Sequence, residues 1–377
     1  MRPLSDTLGR LAALRDRPRR AANAATTRLV RLEDFGSNPG KLEAWFHLPE
    51  NLRADTPLVV VLHGCTQNAA GYDRGAGWSQ LADRHGFAVL LPEQRRSNNM
   101  NLCFNWYEPA HARRDAGEPL SIRQMIQAMV ARHRIDPARV FITGLSAGGA
   151  MASVMLATYP EVFAGGAIIA GLPYGTASNI PEAFDRMRGH GGPDGAGLAA
   201  AVRAASPHKG PWPKISVWHG SADHTVDASN GTAIVEQWRR VHGADARPSR
   251  SDTVDGYPRR VWHGADGRVA VEEYVITGMG HGTPLDTAGE KPYEEFVGAN
   301  ETVSDSRFKT LQEVGYAPPS DPDAFGDLVA ELRSLLADDG ARRSALTDER
   351  VKSMIARVEP SFAETHRAST KSLDQRM

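Results

Sequence analysis

Several things are scarce in this chain of 377 residues, and each shortage removes a class of protein. It has only two cysteines, Cys65 and Cys103, too few for a disulfide scaffold, and their spacing is not that of a zinc site. A single bridge and a pair of reduced thiols both stay open, because redox compartment decides between them. Excess charge is lacking too: Lys and Arg number 44 against 45 Asp and Glu, a formal net charge of -1. That balance gives no reason to expect nucleic acid or an acidic membrane surface as partner. No apolar run approaches the roughly 20 residues needed to span a bilayer. The Arg-rich start, RPRRAANAATTR, lacks the uninterrupted apolar core of a secretory signal. Residues 1–26 are therefore read as an N-terminal tail or leader and kept out of the fold.

What is present is an alternation of strand and helix signals. KLEAWFHLP alternates as an early strand; PLVVVLHG and FAVLLPE are short continuous apolar runs, the mark of strands buried on both faces. WSQLADRHG lies between them with helical spacing and a closing glycine. LSIRQMIQAMVARHRI is helical in period, DPAR reads as a turn, and RVFITG is another strand. EVFAGGAIIAG and KISVWHG continue the strand series, AIVEQWRRVHG is an amphipathic helix, and RRVWHG with VAVEEYVITG is expected to complete the sheet as an edge pair. Strands alternating with helices in this way predict an α/β fold with a mostly parallel central sheet and helices on both faces. Pro, Gly and His crowd residues 173–213, which predicts a small irregular lid-like insertion within a catalytic domain over 27–317. Residues 318–377 read as a polar, partly helical tail, with DERVKSMIARVEP its most periodic piece.

The chemistry is concentrated in FITGLSAGG. GLSAG matches G-x-S-x-G at Gly144, Ser146 and Gly148, where glycines permit a turn tight enough to project a serine hydroxyl from the carboxyl edge of a sheet. The match is common by chance; the strand before it and the helix after it give it weight. A serine hydroxyl is a poor nucleophile until a base takes its proton, so a histidine oriented by a carboxylate is required. Chain order on such a sheet is Ser, Asp or Glu, then His. WHGSADHTV offers Asp223 past the end of one strand, and VITGMGHG offers His281 past another. Asp227 competes with Asp223 but falls where the next helix should begin. His219 lies inside a strand end and reads as a buried, hydrogen-bonded residue; His224, beside the acid, is expected to point away. For the oxyanion, the backbone N–H groups of Ala147 and Cys65 are the two expected donors. His63 then braces the loop, and the Cys65 thiol has no partner base nearby.

Taken together, HGCTQNA (63–69), CFNWY (103–107), GLSAGGAMA (144–152), AGLPYG (170–175), WHGSADHTV (218–226) and GMGHG (278–282) resemble the polyhydroxybutyrate depolymerase family of esterases. That family is related to feruloyl and acetylxylan esterases and has the α/β-hydrolase fold. The resemblance runs from about Thr27 to Gly282. It implies Ser146 as nucleophile, Asp223 as acid, His281 as base and Cys65 with Ala147 as oxyanion donors, with Trp106 bordering the substrate pocket and His63 and Tyr174 as further substrate contacts. Composition alone would read Asn105, Trp106 and Tyr107 as a packed aromatic loop. The implied activity is hydrolysis of carboxylic esters through an acyl-enzyme, on hydroxyalkanoate polyesters or oligomers, with a feruloyl- or acetylxylan-type carboxylesterase as the alternative. No metal or organic cofactor is called for. No polymer-binding module or Thr-rich linker is visible, which points to oligomers or soluble esters as readily as to solid polymer. A serine peptidase, an acyltransferase and a non-catalytic binding protein on the same fold are the rival classes. Many members of the family are secreted, whereas the missing signal reads as cytoplasmic.

Overall fold

The computed structural model describes residues 28–285, apart from 51 and 54, together with the backbone of two short strands further on. The chain divides into two compact units, Met1–Thr287 and Ala288–Met377. The segments 1–26 and 318–377 lie outside the described residues.

The first unit is built on one sheet of ten strands: β1 (Val30–Arg31), β2 (Glu43–His47), β3 (Thr56–Leu62), β4 (Ala88–Glu93), β5 (Ile135–Leu145), β6 (Gly165–Ile169), β7 (Lys214–Gly220), β8 (Arg250–Val254), β9 (Tyr257–His263) and β10 (Val269–Ile276). Their order is β1-β2-β4-β3-β5-β6-β7-β10-β9-β8. The six central strands, from β4 to β10 in that order, pair in parallel, while two antiparallel strands flank them on each side. The apolar runs in the sequence are these central strands. Successive side chains point to opposite faces, so Val60 and Leu62 of β3 and Leu90 of β4 join one buried cluster, while Val61, Val89 and Leu91 join the other.

Helices close both faces. The helices α1 (Ala69–Ala76) and α2 (Trp78–His85) supply Ala69, Tyr72 and Ala82 to the smaller cluster. The larger one receives α3 (Gly117–Arg132), α4 (Ala147–Thr158) and α7 (Ser229–Val241) through Met125, Met151 and Trp238. All twelve residues of α4 are buried, as an apolar helix of small residues requires; Ser153 and Thr158 donate their hydroxyls to the carbonyls of Gly149 and Val154 one turn back.

The sequence is departed from in three places. DPAR is not a separate turn: it lies within β5, where the register against β3 shifts between Thr56 and Leu58 and the Asp136 carboxylate accepts from the Ala138 N–H. VAVEEYVITG is not at the edge, because β10 pairs in parallel with β7, and the edge strand is the polar RSDTV of β8. Residues 173–213, expected to be irregular, hold two helices, α5 (Ile180–Met187) and α6 (Gly195–Ala204). Both are capped from their own sequence, Asn179 accepting from the Glu182 N–H and Asp194 from that of Gly197. In the second unit, Thr302–Asp305 pairs antiparallel with Gln312–Gly315.

Candidate active site

Successive connections leave β3 in opposite directions, to β4 on one side and then across to β5 on the other. In open α/β sheets, a crevice forms outside the carboxyl ends of the strands at such a switch point. Ser146 follows β5 and Cys65 follows β3, so both stand at that crevice.

Ser146 has φ 58° and ψ −121°, a backbone conformation that L-residues avoid and that only enforced surroundings maintain. The enforcement is visible in the flanking glycines. A Cβ on Gly144 would collide with the Gly148 carbonyl, and one on Gly148 would collide with the carbonyls of Leu62 and His63. The turn therefore closes on itself and also presses the start of α4 against the end of β3. The Ser146 N–H donates to the Ile169 carbonyl (2.9 Å), and the residue is 8% exposed.

The close approach at Gly148 brings the start of α4, which carries Ala147, against the Leu62 and His63 carbonyls just ahead of Cys65. Ala147 is the first residue of α4, where a helix N–H has no intrahelical acceptor. In the other loop the Gly64 N–H is taken by Gln67 Oε1 (2.8 Å) and the Thr66 N–H by the Asn101 carbonyl (2.6 Å). Between them the Cys65 N–H has no acceptor among the described residues. Cys65 and Cys103 are joined by a disulfide, so the bridge is the one of the two open readings that holds. His63 is buried, its Nε2 accepting from the Gln94 N–H (3.1 Å) and its Nδ1 donating to the Gly64 carbonyl (2.7 Å). Burial lowers its pKa to about 4 against the opposing pull of that carbonyl. With both nitrogens committed, His63 braces the loop and offers no free ring nitrogen.

Asp223 follows β7 and is buried. Its Oδ1 accepts from the N–H groups of Thr225 and Val226 (both 2.9 Å), and its Oδ2 accepts from His281 Nδ1 (2.8 Å). Burial acts to raise its pKa, but the hydrogen bonds from His219 and His281 prevail and hold the carboxyl well below the usual range. The Asp223–His281 bond leaves His281 Nε2 as the ring's acceptor. The histidine loop is tied to the acid loop twice, by Gly278 N–H to Ser221 Oγ (2.9 Å) and by Ala222 N–H to the Met279 carbonyl (3.0 Å). Asp227 stands apart from this pair: its Oδ1 accepts from the Ser229 N–H at the start of α7. His224 is exposed.

Trp106 is 7% exposed and packs in the larger core cluster, edge-on to Tyr107 with ring centroids 5.6 Å apart. That is the packed aromatic loop composition suggested. Tyr174 exchanges backbone hydrogen bonds with the Gln237 amide and donates its hydroxyl to the Ala112 carbonyl (3.1 Å).

Two supports of the site had no signal in the sequence. Tyr72 of α1 meets Thr283, two residues past His281, through their hydroxyls (2.9 Å). Glu118, at the start of α3, is fully buried and accepts from the Asn105 N–H (2.9 Å), Asn105 Nδ2 (2.8 Å) and Gln94 Nε2 (2.6 Å). Burial outweighs these three donors and raises its pKa to about 7. Among the described residues no group of acidic, histidine or cysteine side chains could hold a metal ion, and no helix is long and apolar enough to cross a membrane.

The parallel sheet, the strained serine turn and the loops at its carboxyl edge define an α/β-hydrolase. Within that fold, residues 44–254 match the family described as "Esterase PHB depolymerase", and the chain belongs to that family. It is 50% identical over 259 residues to poly(3-hydroxyalkanoate) depolymerase C of Paucimonas lemoignei, a match covering 68% of this chain and 62% of that enzyme. Less than two thirds of that relative's length is therefore spanned. Feruloyl esterase B of Talaromyces stipitatus is 29% identical over 269 residues, covering 69% of this chain and 74% of that one. Among solved structures, an acetyl xylan esterase from Aspergillus awamori superposes with a TM-score of 0.63 at 26% identity, covering 69% of this chain and 96% of that one.

Proposed function

We propose that this chain is a serine carboxylesterase that cleaves hydroxyalkanoate polyesters or their oligomers through an acyl-enzyme. The observation that carries the reading is the 2.8 Å bond between Asp223 and His281, on the same sheet edge as a serine held at positive φ. In this reading His281 Nε2 takes the Ser146 proton as Oγ attacks the ester carbonyl, and Asp223 orients the ring and stabilises the imidazolium. The N–H groups of Cys65 and Ala147 bind the oxyanion. Collapse of the tetrahedral intermediate expels the alcohol, protonated by His281. Water, activated by the same histidine, then releases the acid and restores the serine. In this reading Trp106 and Tyr174 border the substrate pocket.

A feruloyl- or acetylxylan-type carboxylesterase is the second reading, favoured by the superposition that takes in 96% of an acetyl xylan esterase. Both are tested by hydrolysis of para-nitrophenyl acetate, butyrate and octanoate by the wild type and Ser146→Ala, with clearing of a polyhydroxybutyrate suspension and release of acetate or ferulate from xylan in parallel. Loss of ester hydrolysis with unchanged circular dichroism is expected of the variant, and full retained activity would sink the assignment. Clearing, or its absence beside acetate or ferulate release, separates the two substrates.

A further inference from the structure

The Asp223 carboxylate is shared between two imidazoles. His281 Nδ1 approaches Oδ2 at 2.8 Å, and His219 Nε2, from the last turn of β7 before the acid loop, approaches the same oxygen at 3.4 Å. His219 Nε2 also lies 2.8 Å from the Val226 carbonyl. A carbonyl oxygen only accepts, so Nε2 carries the proton and gives it to the Val226 carbonyl, with the Asp223 carboxylate beside it at 3.4 Å. Its other nitrogen, Nδ1, is buried without a hydrogen-bond partner among the described residues and faces Gly231, whose Cβ position lies 3.2 Å away. Protonating Nδ1 would bury an N–H with no acceptor, which costs more than leaving the bare nitrogen. The ring is thereby held with its hydrogen-bonded proton on Nε2.

We infer that His219 is a positioning residue of the hydrolytic reaction: its Nε2–H, beside Asp223 Oδ2, holds that oxygen in place and limits the negative charge it presents to His281. The inference rests on the triad reading above. The titratable and charged groups facing Asp223 are His281 from the loop after β10 and His219 from β7, with Asp227 the neighbouring carboxylate ahead of α7. Its oxygens are otherwise occupied by the N–H groups of Thr225 and Val226.

The sign of the effect follows from the sharing. Without the His219 donor, more of the charge on Oδ2 falls to His281, its imidazolium is better stabilised, and the base stays protonated to higher pH. The freed carboxylate also turns more easily, and misplacement of this order costs roughly 10- to 100-fold in turnover. His219→Leu should therefore lower kcat on para-nitrophenyl butyrate by that factor with KM unchanged, and move the acid limb of the kcat/KM profile up by about half a unit. His219→Gln places an amide N–H where Nε2 stood and should restore both. A limb that stays in place in His219→Leu, or a His219→Gln no better than His219→Leu, overturns the inference. Independently of any variant's folding, nitrogen NMR of histidine-labelled wild type should find a proton on His219 Nε2, and a bare Nε2 refutes the inference. Ser146→Ala is assayed alongside. Activity surviving in that variant would sink the triad reading, whereas a dead Ser146→Ala beside an unaffected His219→Leu would sink only this one.

Discussion

Opening the Cys65–Cys103 bridge should cost the protein stability far more than catalysis. The bridge spans 38 residues of sequence, and closing a loop of that length removes chain entropy from the denatured state equivalent to about 4 kcal/mol at 25 °C. In a domain of this size each kcal/mol moves Tm by about 2–4 °C, so the midpoint should fall by about 8–15 °C. The catalytic cost is smaller because the bridge is not alone in holding its loop. Gln67 pins the Gly64 N–H and Asn101 pins that of Thr66 on either side of the Cys65 N–H, and that N–H survives replacement of the side chain. Removing an oxyanion donor outright costs about 100- to 1,000-fold; here kcat at 25 °C should drop by less than about 10-fold. Calorimetry and para-nitrophenyl butyrate kinetics on the wild type with and without reductant, and on the Cys65→Ala, Cys103→Ala double variant, give both quantities. A midpoint shift under about 3 °C would refute the loop-closure reasoning. A collapse of kcat beyond about 100-fold at full folding would show that the bridge, and not the two hydrogen bonds, holds the donor in place.

Two further tests concern the supports behind the site. Tyr72→Phe removes the hydroxyl that meets Thr283 while keeping the buried ring; kcat should fall about 3- to 10-fold with KM unchanged, at a stability cost of about 1 kcal/mol. Thr283→Val should do the same, and the double variant should be no worse than either single one; additive losses would mean that the pair does not act as a unit. Glu118 has its pKa raised from 4.5 to about 7 in the folded state, so its contribution to stability is present below about pH 4.5 and lost as pH rises through 7. Between pH 5 and 8 the wild type should therefore lose up to about 3 kcal/mol relative to Glu118→Gln, read as the difference of urea midpoints. Parallel pH curves for the two proteins would count against it.

Local physics made the serine legible before any coordinates. A turn that forces a residue to positive φ leaves glycines on both sides, a strand before and a helix after, and all of these stand in one short stretch around Ser146. Asp223 and His281 were chosen by a weaker rule, that strands of a parallel sheet end on the same edge, and the structure joins the two at 2.8 Å. Partnerships that depend on neighbour order were not legible. Periodicity marks VAVEEYVITG as a strand but carries nothing about β7 being beside it. The strand RSDTV went unread because an edge strand is exposed and its pattern is polar. The helices within 173–213 were hidden by glycine-rich composition, although their caps, Asn179 and Asp194, were in plain view. Glu118 illustrates the deepest limit: an acid in the first turn of a helix ordinarily faces water and favours the helix dipole, and nothing in AGEPLS says that Gln94 and Asn105 will close over it.

The complete burial of α4 has a consequence for how such a protein wears out. A helix with no solvent-facing side has no local route to fraying, so its amide protons should exchange only when the sheet itself opens. Ser146 is thereby among the last residues to lose its place, while His281 rides on a loop held by a handful of hydrogen bonds. Under gentle heating the molecule would fall silent with its core intact, through a loosened loop at the rim, and cooling alone would revive it.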